Sequence, residues 1–294
     1  MEDFELECYR KAGKINKQVK DFAFSFIKKD MKLIEIALKI DEKIIELGGE
    51  IAFPVNLSIN EIAAHYTPSM NDSTIAEGLL KIDVGVEVNG YIADSAFSMD
   101  LTEDKHYEKM IRKNSLILNS VISNLEVGSK VCSIGNKISD ELENSEFRII
   151  HNLSGHSLAK DEIHSGLTIS NHRNKNDTVL NDCAIAIEPF LTTGKGEIYE
   201  GNPSGIYLLQ GVGKPRDRDA RKLLEFIQET YRTKPFCKRW LEQKNFSKLN
   251  FSLKILEREG ILHNFPVLIE RDKQPVSQME HTVIFHKEVE VTTN

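Results

Sequence analysis

LLKIDVGVEVNGYIADSAF, Leu79 to Phe97, alternates apolar with small or polar residues on both sides of Asn89-Gly90, and this pattern reads as two strands joined by a two-residue turn. With Asn89-Gly90 as the turn, Val88 pairs with Tyr91, which places Asp94 opposite Gly85 and Asp83 opposite Ala96. Both aspartates then share one face of the hairpin as diagonal neighbours, with Cα atoms about 7–8 Å apart, close enough for two carboxylates to converge on one ion or ion pair. Gly85 leaves that face open. The other face carries Ile82, Val84, Val86, Val88, Tyr91, Ala93 and Phe97, which anchor the hairpin by apolar burial.

Two strand aspartates are also compatible with turn capping or simple solvation, so a metal reading needs further ligands. Downstream, Glu188 ends AIAIEPF and Glu280 lies in SQMEHTVIF. A carboxylate in such apolar surroundings is costly unless paired, protonated or bound to a cation. On an alternating strand Glu188 shares its face with Ala184 and Ala186, whose small side chains leave room for an ion. His156, in NLSGHS, adds an imidazole. Four carboxylates with one imidazole and no thiolate make an oxygen-rich set suited to Mn, Fe, Co or Zn. Taken singly, each glutamate also reads as a salt-bridge partner or an exposed strand residue, and His156 as a loop histidine bonded to backbone.

Upstream, Leu6, Ile15, Val19, Phe22 and Phe26 recur at roughly helical spacing, and a second periodic run, Leu33 to Leu47, stops at Gly48-Gly49. Ile51 to Ser58 is extended. Beyond the hairpin, a helix is expected over about Tyr107 to Leu125, with short apolar runs at Phe147–Leu153 and Ala184–Ile187. Further helices are expected around Ala220–Tyr231 and Phe251–Glu259, and a strand-like run over Met279–Val291. The mixture predicts an α+β chain, 1–294, of one catalytic domain with a helical insertion at about 205–265.

The 294 residues carry a net charge of −7, which disfavours a surface built wholly for DNA or other nucleic acid. Yet Lys214 to Lys248 holds eleven Lys/Arg against five Asp/Glu, so this segment is near +6 and the remainder near −13. The four cysteines, Cys8, Cys132, Cys183 and Cys237, are scattered without a C-x-x-C pair, which predicts reduced, buried thiols. The charged start MEDFELECYRK and the lack of a long apolar run predict a cytoplasmic protein without a membrane partner.

Five segments together resemble the methionine aminopeptidase family, type II, in its compact archaeal form. They are IAFPVNLSINEIAAHYTP (Ile51–Pro68), KIDVGVEVNGYIAD (Lys81–Asp94), SGHSLAKDEIHSG (Ser154–Gly166), AIAIEPF (Ala184–Phe190) and MEHT (Met279–Thr282). The resemblance implies the pita-bread fold, with two related α/β halves facing each other across a dinuclear centre held by Asp83, Asp94, His156, Glu188 and Glu280. The position of the insertion between Glu188 and Glu280 agrees with type II. Met279 departs from the phenylalanine usual in the family, one apolar residue for another.

The implied reaction is removal of an initiator methionine from a nascent polypeptide by a water activated between two divalent cations (Co, Mn, Fe or Zn), with Glu188 as proton shuttle. By the same resemblance His65 and His164 bond the substrate's amide and carbonyl, and Phe53, Ile163 and Phe190, with His65, line the methionine pocket. For the pocket residues plain core packing is the competing reading. The family suggests a monomer. The basic segment 214–248 is expected either to associate with the ribosome through RNA phosphates or to be solvated helix faces. Three alternatives share parts of the pattern: an Xaa-Pro aminopeptidase or prolidase, a non-enzymatic RNA- or protein-binding paralogue, and a dinuclear phosphatase or nuclease.

Overall fold

The computed structural model describes all of Met1–Asn294. Its first half contains α1 (Asp3–Phe26), α2 (Leu33–Glu46), β1 (Glu50–Ile59), β2 (Ile62–Ala64), β3 (Leu79–Val88) and β4 (Tyr91–Asp100). The Glu2 side chain accepts from backbone and the Glu2 N–H donates to Glu5 Oε2 at 2.8 Å, a capping box that starts α1. Gly48 ends α2 in the left-handed conformation (φ 79°), and Gly49 N–H donates to Ile44 O at 3.0 Å, the closure expected of a glycine stop. Both helices lie on the β1–β3–β4 sheet, burying Leu6, Ile15, Val19, Leu33, Ile36 and Ile40 against Ile82, Val84, Val86 and Ala93.

The second half repeats this scheme. It contains α3 (Glu108–Ser123), α4 (Val131–Glu141), β5 (Arg148–Ile149), β6 (Ser154–Leu158), β7 (Thr168–Ser170), β8 (Cys183–Ile187) and β9 (Phe190–Thr192). After these come β10 (Ile198–Leu209), α5 (Arg218–Thr230), β11 (Phe236–Cys237), α6 (Lys238–Glu242), α7 (Leu249–Arg258), β12 (Leu262–Glu270), β13 (Val276–Gln278), β14 (His281–Phe285) and β15 (Val289–Val291). Strands β15–β14–β8–β6–β7 form an antiparallel sheet, and α3 and α4 bury Ile117, Val121, Ile134 and Ile138 against Ile185, Val283 and Phe285. Two helix-backed sheets thus build the two α/β halves of the pita-bread fold.

Helices α5 to α7 close a separate apolar cluster that includes Leu223, Leu224, Ile227, Leu253 and Leu256, and β10 and β12 pair with each other at its base. Several expectations are corrected here. The apolar run Phe147–Leu153 contains the two residues of β5, while α4, β10 and β12 were not among the expected elements. Cys8 and Cys237 are buried free thiols, but Cys132 and Cys183 are only half-buried.

Candidate functional site

Strands β3 and β4 pair without a break from Leu79–Asp100 to Val88–Tyr91, with Asp83 opposite Ala96 and Asp94 opposite Gly85. Asn89 and Gly90 both take positive φ, 54° and 86°, as a tight turn that follows the strand twist requires. The period of two therefore puts both aspartates on the face away from α1 and α2. Thr282 fixes Asp94 further: its Oγ1 accepts from Asp94 N at 2.7 Å and donates to Asp94 O at 2.8 Å.

The opposing half supplies the other three side chains. His156 lies on β6, Glu188 follows the last residue of β8, and Glu280 sits between β13 and β14, where its N–H donates to Ala96 O at 2.9 Å. Asp94, His156 and Glu280 each present a ligand atom within 4.8 Å of the others'. His156 Nε2 lies 3.6 Å from Asp94 Oδ2 and 3.7 Å from Glu188 Oε1. Asp83 joins the group through Gln278, whose Nε2 donates to Asp83 Oδ2 at 3.2 Å and to Glu280 Oε2 at 3.3 Å.

Burial and mutual repulsion hold the carboxyls of Asp94, Glu188 and Glu280 well above the usual carboxylate range, and burial raises Asp83. Burial lowers His156 to about 3, keeping its imidazole neutral and able to ligate. Asp83 Oδ1, Asp94 Oδ1 and Glu280 Oε1 are buried without a hydrogen-bond partner. Such a cluster is expensive without positive charge. The donor set, its crowding and these unpartnered oxygens fit hard or borderline divalent cations.

The five residues line a cavity of about 250 Å³. The same cavity is lined by apolar Phe53, Ala64, Leu153, Ile163, Phe190, Ile206, Pro235, Phe265 and Leu268, and by His65 and His164. The structure thus brings every expected site residue into one cavity. His65 has a left-handed backbone (φ 62°), and its Nδ1 donates to Pro266 O at 3.2 Å, which leaves Nε2 as the acceptor. Burial lowers its pKa to about 4. The His164 ring meets the His156 ring edge-on with centroids 4.2 Å apart; reached by solvent yet crowded by protein, it too has a lowered pKa, caused by desolvation. Phe53 packs on Gly85, where a β-carbon would lie 2.2 Å from the ring.

A profile of metallopeptidase family M24 matches residues 7–221. The methionine aminopeptidase of Pyrococcus horikoshii is 42% identical over 288 residues, covering 96% of this chain and 97% of that protein. The chain belongs to the methionine aminopeptidases of metallopeptidase family M24. Among solved structures, a thermophilic Arx1 superposes with a TM-score of 0.86 at 15% identity, over 99% of this chain and 91% of that one. A methionine aminopeptidase from Thermotoga maritima gives 0.71 at 17%, over 100% and 98%. These two likenesses concern the fold. Dependence on divalent metal follows from membership of M24.

In this M24 peptidase several site residues escaped the sequence reading. Gln278, 1% exposed, bridges two carboxylates, and its signal was available: it lies two residues before Glu280 in an alternating run. Asn171, wholly buried, donates from Nδ2 to Glu188 O at 2.9 Å and so holds the end of β8. Ile206 from β10, Pro235 from the turn before β11, and Phe265 and Leu268 from β12 had no local signal, because only tertiary packing brings them to the cavity.

Proposed function

We propose that the chain removes the N-terminal methionine of newly made polypeptides, with two divalent cations held by Asp83, Asp94, His156, Glu188 and Glu280. The observation that carries this reading is one cavity of about 250 Å³ lined both by the carboxylate cluster and by apolar side chains that include Phe53, Ile163 and Phe190. When bound, the cations act as Lewis acids that polarise the scissile carbonyl and lower the pKa of water. Glu188, beside His156, takes the proton of the attacking water and delivers it to the departing amine. His65, neutral with Nε2 free to accept, receives the substrate's amide N–H. His164 donates to the carbonyl oxygen as negative charge develops there. The side chain of the first residue enters between Phe53, Ile163 and Phe190. A free α-amino group suits the carboxylate cluster, while a blocked or internal peptide bond brings no such charge.

We read the whole chain as a single catalytic unit with residues 205–265 as its insertion, working as a cytoplasmic monomer. No helix is long and apolar enough to cross a membrane. Ribosome association through 214–248 rests on fewer charges than the sequence suggests. Lys234 pairs with Glu87, Arg239 with Asp41, Lys238 with Glu242 and Lys248 with Asp219, leaving Lys214, Arg216, Arg218, Arg221, Lys222, Arg232 and Lys244 exposed and outside these pairs. Co-sedimentation with ribosomes that ignores salt and charge reversal of these seven refutes a role for this segment, and failure to co-sediment refutes the partner.

The deciding experiment measures metal content and peptide cleavage on one preparation. The expected result is methionine release from Met-Ala peptides, lost on chelation, restored by Mn, Co, Fe or Zn, and absent in Glu188→Ala. Preferential Xaa-Pro cleavage, or full activity without metal, refutes the reading.

A further inference from the structure

Arg239 lies on α6, inside the insertion, and is 0% exposed. Its Nη1 donates to Thr67 Oγ1 and to Pro68 O, both at 2.8 Å, and its Nη2 to Asp41 Oδ2 at 3.1 Å. Trp240 Nε1 donates to the same Asp41 oxygen at 2.9 Å. Asp41, on α2, therefore balances the charge, while the other arm of the guanidinium grips the segment that follows His65.

The contact continues into the substrate cavity. Thr67 Oγ1, which accepts from Arg239, donates in turn to Val55 O at 2.8 Å. Val55 belongs to the stretch of β1 where the register with β3 breaks between Phe53 and Asn56, and Phe53, Pro54 and Asn56 all line the cavity. A strand that has lost its regular ladder needs other donors to fix its carbonyls. His65, two residues before Thr67, holds a left-handed backbone that a non-glycine residue keeps only where its surroundings over-determine it. Thus one side chain of α6 bonds the Thr67–Pro68 segment that follows His65 and, through Thr67 Oγ1, reaches the strand segment that carries Phe53.

Burying a guanidinium is not an economical way to glue an insertion down, since apolar contacts of similar volume hold as well or better. What it adds is direction, because its planar fork fixes the positions of several acceptors at once. We infer that Arg239 is a positioning residue of the active site, setting the Thr67–Pro68 backbone and through it His65 and the Phe53–Asn56 segment. The insertion is thereby a working part of the substrate pocket. This inference rests on the assignment of His65 and Phe53 made above.

Thr67→Val tests it in the full-length, metal-loaded enzyme, because it breaks the chain from Arg239 to Val55 while leaving the Arg239–Asp41 pair intact. Arg239→Lys, which keeps the charge and loses the fork, is the companion. Each is assayed for kcat and KM on methionyl and leucyl peptides, and again on a His65→Ala background. Since a misplacement of about 1 Å can cost up to ~10²-fold, both variants are expected to lower kcat about tenfold with metal loading unchanged. On the His65→Ala background the same changes are expected to lower kcat by less than about twofold, a non-additivity that a purely structural tether does not produce. Preference for methionyl over leucyl peptides is expected to fall in Thr67→Val through the loosened Phe53 segment. Full multiplicative loss on the His65→Ala background, or a lowered unfolding midpoint with kcat and selectivity unchanged, overturns the inference. If His65→Ala itself leaves kcat unchanged, the role given to His65 fails, and an unaltered methionyl-to-leucyl preference in Thr67→Val then overturns the role of Arg239 as well.

Discussion

Gly85→Ala is expected to damage methionine recognition without touching a metal ligand. A β-carbon at this position would stand 2.2 Å, 2.3 Å and 2.9 Å from Cε1, Cδ1 and Cζ of Phe53. Carbon atoms pack at about 3.5–4.0 Å, so the ring must retreat by about 1.3 Å or more. Phe53 is 7% exposed and lines the cavity, so the ring moves into the space that the proposed function gives to the methionine side chain. Full burial of a side chain of that size contributes about 1.5–3 kcal/mol, and its loss corresponds to roughly 10- to 150-fold in kcat/KM. Overpacking adds a loss of about 1–3 kcal/mol in stability. The assay is methionine release from a Met-Ala peptide, with an alanyl peptide as control, alongside metal analysis and urea denaturation. The methionyl substrate is expected to suffer more than the alanyl one, metal stoichiometry to be unchanged, and Gly85→Ala with Phe53→Leu to recover part of the loss. Wild-type kcat/KM in Gly85→Ala, or an equal loss in the double variant, refutes the reasoning, as does loss of metal.

Gln278→Leu removes the amide that bridges Asp83 and Glu280, and apparent metal affinity is expected to fall about 10- to 100-fold, read from activity against free metal concentration; an unchanged titration curve disproves the role. Lys20, whose Nζ donates to Thr293 O at 2.9 Å, is lowered by burial to about 8 from 10.5. Between those values the unfolded chain binds more protons than the native one, so this group makes stability rise with pH there. The stability of wild type relative to Lys20→Met should therefore increase from pH 8 to 10.5 in urea titrations of metal-loaded protein, and a flat difference counts against it.

Local chemistry was legible wherever neighbours in the chain interact. Asn89-Gly90 and the period of two gave the hairpin register, hence the shared face of Asp83 and Asp94, and Gly48-Gly49 gave the end of α2. Elements that depend on distant partners were not legible. Strand β10 contains EGNPSG, which by itself reads as a turn; it is extended because β11 and β12 pair with it, with breaks in register on both sides of Pro203. Helix α4 is short and interrupted by Gly135, which reads as weak helix. That glycine is required because a β-carbon would lie 2.2 Å from His172 O of the segment following β7.

By itself, then, the sequence determined a hairpin with two aspartates on one face, the helices of the first half, and motifs similar enough to a known family to name five ligands. Tertiary structure decided that His156, Glu188 and Glu280 meet those aspartates, that Gln278 spans two of the carboxylates, and that Arg239 ties the insertion to the loop of His65. The division has a physical origin. Turn and strand geometry are set by interactions a few residues apart, whereas the convergence of buried charges depends on how elements distant in the chain pack together, which no local pattern encodes.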